Sequence, residues 1–146
     1  MIEFKQSICA EERSDVSMSE TKALVEDLLA NENGILRLKP AWVARDFLPP
    51  GRRLGIPEDQ YDVGERGFIC ERWLASITRA DNTVGPDDEG LSYLLTEDGS
   101  RITVKEAVAA QPELIMGTEY ASNHANLGRL IKIYDFGSRI PYHIHQ

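Results

Sequence analysis

The sequence contains no long apolar run and only two cysteines, and each of these shortages excludes a class of protein. Cys9 and Cys70 are far apart and form neither a Cys-x-x-Cys pair nor another zinc-finger spacing, which argues against a disulfide framework or a zinc finger. We therefore expect two reduced thiols, with Cys70 buried. No apolar stretch approaches the roughly 20 residues of a transmembrane helix. The N-terminus lacks the basic and apolar regions of a secretory signal, so the sequence predicts a cytoplasmic protein.

Basic residues are also in short supply, because 16 Lys and Arg stand against 24 Asp and Glu, for a formal net charge of −8. An acidic surface repels phosphate backbones, so no nucleic-acid partner is expected. A small phosphorylated ligand is still compatible, since it needs only a local cluster of basic side chains. The 146 residues, 42% of them hydrophobic, predict one domain with a packed core.

Helix starts are marked by two capping boxes, the S/T-x-x-E patterns at 17–20 and 103–106. The first predicts a helix over 17–34. The second predicts a helix over 103–110, and a further short helix is expected over 112–117.

A long segment rich in Pro and Gly follows the first helix. Residues 36–67 have neither helical nor alternating periodicity, which predicts a long ordered loop or a set of short turns. Loops of this length in a compact domain are usually functional or disordered, and the aromatic residues of this one favour order. We expect its arginines to be solvated, namely Arg52, Arg53 and Arg66.

Four regions predict β-strands: 68–77, two short strands within 91–104, 130–134 and 140–145. The first and third are apolar enough to be buried. Glu71 and Arg72 interrupt the first of them, and charges inside a buried strand need a partner or a ligand. The polar stretch 118–128 is expected to be turn-like, with His124 at the surface.

Two histidines on the last predicted strand form half of a metal site. Side chains alternate along a strand, so His143 and His145 point to the same side, with Cα atoms about 6.6 Å apart. Both rings can then reach one ion at about 2.0–2.1 Å, and neutral imidazoles suit zinc, iron, copper or nickel. The alternative is two histidines on a strand face without a metal, because a mononuclear zinc site needs at least three protein ligands.

The order of these segments resembles that of the class I mannose-6-phosphate isomerases, which are zinc-dependent enzymes of the cupin superfamily. The spacing Gly–x5–His–x–His from Gly137 is similar to the opening of the first cupin motif. Over 68–146 the segments "ERWLAS", "GLSYLL", "ITVKEAVAAQPELIMG" and "RLIKIYDFGSRIPYHIHQ" follow the family's order and spacing. A part that is mainly structural in the family aligns with Glu71, Arg72 and Trp73. The loop "DFLPPGRRLGIPEDQY" is outside the family's usual pattern, and in this respect the chain resembles a divergent bacterial branch of the class I isomerase-like proteins.

The resemblance also implies site residues by position. His145 falls on a metal-binding histidine of the family, whereas His143 falls where the family usually has a metal-binding glutamine. Lys132 falls on the lysine of the preceding strand, and both it and Arg139 are candidates for substrate binding. The implied cofactor is a divalent metal, zinc by resemblance. The family's other ligands, a glutamate and a later histidine, would lie beyond the last residue.

The predicted fold is α+β, mainly β with flanking helices, and corresponds to the N-terminal half of an incomplete cupin-type barrel. Residues 1–67 would form an N-terminal helix and the Pro/Gly-rich loop region. Residues 68–146 would be the start of an isomerase-like cupin domain, truncated in its metal strand. Because a chain that ends inside such a strand leaves a sheet edge unpaired, we expect an N-terminal fragment of a longer enzyme.

The resemblance implies a metal-dependent aldose–ketose isomerase that interconverts mannose 6-phosphate and fructose 6-phosphate, with a sugar phosphate as its ligand and no membrane partner. A non-catalytic cupin-type protein that binds a metal or a sugar is the alternative, which the histidine at position 143 favours. A remnant without a complete site is the third reading. We expect the isolated chain to lack isomerase activity, and no residue is assigned as the general base.

Overall fold

The computed structural model describes residues 16–142, which contain four α-helices and three β-strands. In chain order these elements are α1 (Met18–Asn31), β1 (Ala41–Arg45), β2 (Phe68–Leu74), α2 (Val104–Ala110), α3 (Pro112–Met116), α4 (Thr118–Ala121) and β3 (Ile131–Tyr134). Two short 3-10 helices, Glu58–Gln60 and Gly64–Arg66, lie between β1 and β2.

Both predicted capping boxes are present. At the start of α1 the hydroxyl of Ser17 accepts a hydrogen bond from the backbone N–H of Glu20, whose carboxylate accepts one from the N–H of Ser17. Thr103 and Glu106 form the same reciprocal pair at the start of α2. The two helices pack on one apolar cluster, whose buried members are Val25, Leu94, Ile102, Val104, Ala107 and Val108. The predicted helices are therefore confirmed, including the short one that begins at a proline.

The strands form one antiparallel sheet in the order β1-β2-β3. The pairing of β1 with β2 contains a bulge, because Val43 pairs with Glu71 whereas the next residue, Ala44, pairs with Ile69. Cys70 is thus left without a partner in β1. A bulge of this kind bends the strand and redirects the side chains that flank it.

The predicted α+β class is confirmed, the emphasis on strands is wrong for residues 16–142, and the incomplete cupin-type barrel stays a prediction. Helical residues outnumber strand residues there, and the sheet is open with three strands. The region 91–104 contributes only isolated bridges instead of two strands, although the backbone N–H of Leu94 donates to the carbonyl of Ile102. Too few strands therefore form in this part of the chain to close a barrel.

The Pro/Gly-rich segment 36–67 holds a strand that its composition conceals. β1 lies inside it, so the prediction of a long ordered loop or a set of short turns is wrong over Ala41–Arg45. Pro40 directly precedes β1, and a proline is tolerated at the start of a strand because no ladder hydrogen bond is lost. At the other end of the segment Gly67 has φ 82° and lies so close to the backbone of Arg45 that a Cβ atom would not fit.

The strand predicted over 130–134 is present as β3, but its predicted burial is wrong. Ile131 is 61% exposed and Ile133 is 47% exposed, because β3 is at the edge of the sheet that residues 16–142 form. Residues 140–142 are not in a strand, and the rest of the strand predicted over 140–145 lies outside the described residues. The stretch 118–128 contains the short helix α4, which the sequence did not indicate.

A strap formed by residues 49–53 lies along the continuation of β3. The backbone N–H of Gly51 donates to the carbonyl of Asp135 at 2.7 Å, and the N–H of Gly137 donates to the carbonyl of Pro49 at 2.8 Å. Arg53 donates from its backbone N–H and from Nε to the carboxylate of Asp135, at 2.5 and 2.8 Å. The Arg53 side chain is 74% exposed, so its predicted solvation is confirmed, although it also pairs with the buried carboxylate of Asp135.

Elements from both sides of position 67 pack together, since α1 contacts α2 and β1 pairs with β2. The division into 1–67 and 68–146 stays a prediction. None of the helices within residues 16–142 combines the length and the apolar character that crossing a bilayer requires.

Candidate functional site

A cavity of about 460 Å³ opens beside the sheet and combines charged with aromatic side chains. Three basic residues line it, together with three aromatic ones and several carboxylates. The basic and aromatic residues are Arg45, Arg66, Lys132, Phe47, Tyr134 and Phe136. Cavities of about 300–1,000 Å³ are the size of small-molecule sites, so this is the candidate functional site of the described chain.

Three charged residues, Arg45, Glu71 and Lys132, form one wall of the cavity, which we call the charged wall, and Glu71 is at its centre. Its side chain is only 2% exposed, and both of its carboxylate oxygens are engaged. Nε of Arg45 donates to Oε1 at 2.8 Å, and the indole Nε1 of Trp73 donates to Oε2 at 2.7 Å. Nζ of Lys132 lies 3.4 Å from Oε2. A buried carboxylate with these partners holds the two cations in fixed positions at the cavity wall.

Lys132 is further held by two aromatic rings. Its Nζ lies 5.3 Å from the centre of the Trp73 ring and 4.7 Å from the centre of the Tyr134 ring. Contacts of an ammonium group with ring faces are attractive at this range. The ammonium group therefore has a defined position, although 18% of the side chain is accessible.

Glu89 is the second buried carboxylate of this region. Its Oε1 accepts hydrogen bonds from Nη2 of Arg66 at 2.6 Å and from the backbone N–H of Ala44 at 3.0 Å. Its Oε2 accepts one from Nδ2 of Asn82 at 2.8 Å. The prediction that Arg66 is only solvated is therefore wrong, because this arginine pairs with a buried carboxylate and lines the cavity.

Asn82 connects the two carboxylates. Its Oδ1 accepts a hydrogen bond from Nη1 of Arg45 at 2.5 Å, and its Nδ2 donates to the carbonyl of Ala44 at 3.1 Å. Ala44 lies at the bulge of the sheet, and both of its backbone polar groups bond to side chains of the loop after β2. The bulge and this loop together position Arg45 between Glu71 and Asn82.

A row of aromatic rings forms the apolar part of the cavity lining. The ring centres of Tyr134 and Phe136 are 5.8 Å apart, and those of Phe136 and Phe47 are 5.7 Å apart. Phe136 is 8% exposed and Phe47 is 55% exposed. We call these three residues the aromatic row. The cavity thus offers hydrogen-bonding groups and an apolar surface to one ligand.

The structure separates the residues that the sequence proposed as a site. Lys132 lines the cavity. Arg139 is exposed and is not part of the lining as far as residues 16–142 show. His143 and His145 lie outside the described residues. His124 is exposed and stacks on Tyr120 with ring centres 4.1 Å apart, so its predicted surface position is confirmed.

A metal site is not formed by the residues that the structure describes. Among residues 16–142 no group of three or more His, Cys, Asp or Glu side chains is arranged to hold an ion. The nearest carboxylate cluster, around Glu71, is neutralised by Arg45 and Lys132. The described part of the cavity therefore does not fit a divalent cation on its own, and the predicted zinc ligation stays a prediction.

Sequence reasoning missed several members of this site. Arg45 and Asn82 stand in segments that were predicted to be loops, and Glu89 stands in a run of acidic residues that has no distinctive spacing. Only one signal was available, namely the two charges inside a buried strand, and it correctly indicated that Glu71 needs a partner. The partners come from positions 26 and 61 residues away, so no local pattern could identify them.

Cys70 lies behind the charged wall and is fully buried, as predicted. Burial, with smaller contributions from the charges of Glu71 and Asp135, raises the pKa of its thiol to about 11. The thiol is therefore neutral under ordinary conditions and unsuited to nucleophilic chemistry.

No known protein family, curated protein or solved structure matches the chain.

Proposed function

We propose that the chain provides part of the sugar-phosphate site of a metal-dependent aldose–ketose isomerase of the mannose 6-phosphate/fructose 6-phosphate type. The cupin-type barrel belongs to the same proposal. The observation that carries it is the position of Lys132. The residue that the resemblance assigned to substrate binding lies in the wall of a ligand-sized cavity, where Glu71 holds it beside Arg45.

The lining of the cavity suits a polyhydroxylated ligand. Guanidinium, ammonium, amide and carboxylate groups offer donors and acceptors at short spacing, and sugar hydroxyls both donate and accept. Basic residues can also hold a phosphate through charge-assisted hydrogen bonds. A bare phosphate alone would be a poor match, because the lining has carboxylates as well as three basic side chains.

The cavity also adjoins the segment that leads to the histidine pair. Ile140 and Pro141 line it, and His143 follows Pro141 by two residues. A metal held by His143 and His145 would polarise sugar oxygens, and its ligands would need to include groups other than the side chains around Glu71.

The residues of the cavity have separate roles in this proposal. An aldose–ketose isomerisation moves a proton between adjacent carbons and develops negative charge on a substrate oxygen, which prepositioned cations stabilise. Lys132 and Arg45 are such cations, because Glu71 fixes both before any ligand arrives. Glu71 is a positioning residue, since both of its oxygens accept from protein donors. No general base is assigned.

A non-catalytic sugar-binding protein is the second candidate. The observation that favours it is the engagement of the buried carboxylates, because Glu71 and Glu89 are both committed to hydrogen bonds within the protein. A carboxylate in this state holds neighbouring groups and has no oxygen free to accept a proton from a substrate carbon.

Calorimetric titration with mannose 6-phosphate tests the site, and conversion to fructose 6-phosphate tests the reaction. Lys132→Ala is expected to weaken binding by at least about 10-fold, the effect of losing a charge-assisted hydrogen bond. Lys132→Arg keeps the positive charge and should retain part of the affinity. Arg139→Ala is the matched control, since it also removes one cation but at an exposed position outside the described lining, and the affinity of this variant should stay within about twofold of the wild type.

The outcomes separate the two candidates. Conversion that depends on Lys132 supports the isomerase, whereas affinity that depends on Lys132 without conversion favours the binding protein. Equal losses from Lys132→Ala and Arg139→Ala would show that only the net charge matters and would contradict both. Circular dichroism of each variant verifies that its helices are intact.

A further inference from the structure

The aromatic row ends in a ring that lines the cavity and is largely exposed. Phe47 is 55% exposed, whereas the middle ring of the row, Phe136, is 8% exposed and Tyr134 at the other end is 39% exposed. Phe47 lines the cavity and contacts Phe136 at a ring-centre distance of 5.7 Å. A ligand can therefore cover Phe47 without displacing any side chain of the row.

The support beneath Phe47 is fixed by backbone hydrogen bonds. Phe136 forms a bridge with Pro50, and the next residue, Gly137, donates its N–H to the carbonyl of Pro49. The strap thereby holds the middle ring of the row in place. Because a preorganised surface loses little conformational entropy when a ligand binds, an exposed ring on this support is suited to recognition.

The charged wall and the aromatic row both line one cavity, and this combination matches a particular ligand shape. Arg45 and Lys132, which Glu71 positions, offer polar groups, whereas Phe47 offers an apolar face. A pyranose ring has hydroxyl groups around its rim and C–H groups on its faces. An acyclic polyol has the same hydroxyl groups but presents no flat apolar face to a ring.

We infer that Phe47 is a specificity-determining residue that stacks on the apolar face of a pyranose ring and so selects cyclic sugars over acyclic polyols. The inference rests on the proposed function, because it names the ligand form that the same cavity takes. The stacked contact is of the kind that aromatic faces make with flat apolar groups.

The test measures binding of two uncharged probes, methyl α-D-mannopyranoside and mannitol, by ligand-observed saturation-transfer NMR and titration. Phe47→Ala is expected to weaken binding of the pyranoside by about 3- to 10-fold. Phe47→Trp should preserve the affinity for the pyranoside. The affinity of Phe47→Leu, which keeps apolar volume without a ring, should lie between those of the Trp and Ala variants. Leu95→Ala is the control, since Leu95 is also an exposed apolar residue but is not part of this lining.

Mannitol distinguishes stacking from a general disturbance of the site. Its binding should be equally weak for the wild type and all Phe47 variants. An unchanged pyranoside affinity in Phe47→Ala, or an equal loss for mannitol, would overturn the inference. The same holds if the wild type binds no pyranoside.

The uncharged probes also keep this inference separable from the proposed function. Phe47-dependent binding of the pyranoside, without any Lys132-dependent binding of mannose 6-phosphate, would contradict the sugar-phosphate proposal and leave the stacking platform standing. Binding of mannose 6-phosphate that depends on Lys132 but not on Phe47 would support the sugar-phosphate proposal and contradict the stacking inference.

Discussion

Gly51 and Asp135 are in such close contact that a carboxylate oxygen of Asp135 occupies the space that a Cβ atom at position 51 would take. The carboxylate cannot easily move away, because the backbone N–H and Nε of Arg53 both donate to it. We predict that Gly51→Ala lowers the free energy of unfolding by about 1–3 kcal/mol, the usual cost of overpacking a well-packed site. Urea denaturation measures the change.

The origin of that cost can be isolated with a double-mutant cycle. In an Asp135→Ala background the conflict with the carboxylate is absent, and the Arg53 side chain, whose Nη2 a Cβ atom would also meet, is released from Asp135 and can move. Gly51→Ala should then change the free energy of unfolding by less than about 0.5 kcal/mol. If the two substitutions are instead additive, the contact between Gly51 and Asp135 is not what excludes a side chain at position 51.

The buried charge of Glu71 is the next quantity to test. Glu71→Gln keeps the shape of the side chain but leaves Arg45 and Lys132 without their counter-ion. Removing one partner of a buried ion pair costs about 3–5 kcal/mol, and we expect a loss in this range in urea denaturation. The control is Asp87→Asn, because Asp87 pairs with Arg79 at the surface and such pairs contribute about 0–1 kcal/mol. Similar losses for both variants would contradict the central role of Glu71.

The thiol of Cys70 gives a pH-dependent prediction. Its pKa is raised to about 11 from an ordinary value of 9.0, so at pH 8 its thiolate fraction is about 100-fold lower than that of a free cysteine. In a Cys9→Ser background we expect iodoacetamide to label the native protein at least that much more slowly than the unfolded protein. Because the group is a neutral acid, its labelling rate should continue to rise between pH 9 and pH 11 instead of levelling near 9. Rapid labelling at pH 8 would contradict the burial.

The cap of α2 gives a prediction for the helical core. Thr103→Ala removes the hydroxyl that accepts from the N–H of Glu106, and losing such a cap costs about 1 kcal/mol. Thr103→Ser keeps the hydroxyl and should retain most of the stability. Val104 and Ala107 of this helix are buried in the core, so the loss should appear in the midpoint of global unfolding. Equal stabilities of the Ala and Ser variants would show that the cap contributes nothing measurable.

Local patterns predicted the helices better than the sheet. The capping boxes at 17–20 and 103–106 each determine a helix start through bonds between residues three apart, so the sequence carries that information in one place. β1 could not be recognised, because Pro40 and the glycines around it suggested a loop, whereas its pairing with β2 spans about 30 residues of sequence. The same reason explains why β3 was placed correctly but its burial was not, since burial depends on what lies next to a strand.

In the candidate site, too, only residues with a signal in the sequence itself were identified. Lys132 was identified through the resemblance, and Glu71 through a charge in an apolar strand. Arg45, Asn82 and Glu89 approach them only after the sheet and the following loop have formed. The predicted histidine pair stays a prediction, since both residues lie outside the described chain.

The bulge at Cys70 makes the number of residues in β2 as important as their identity. In a regular strand Ile69 and Glu71 would point to the same side, because side chains repeat with a period of two. Here Ile69 packs with Tyr61 in an apolar cluster while Glu71 faces the cavity. If Cys70 instead paired regularly with Ala44, the carboxylate and the isoleucine would point to the same side, so the unpaired residue is what keeps polar and apolar side chains on opposite faces here. The bulge therefore determines which face each end of β2 presents to the cavity and to the apolar cluster, independently of the alternation in its sequence.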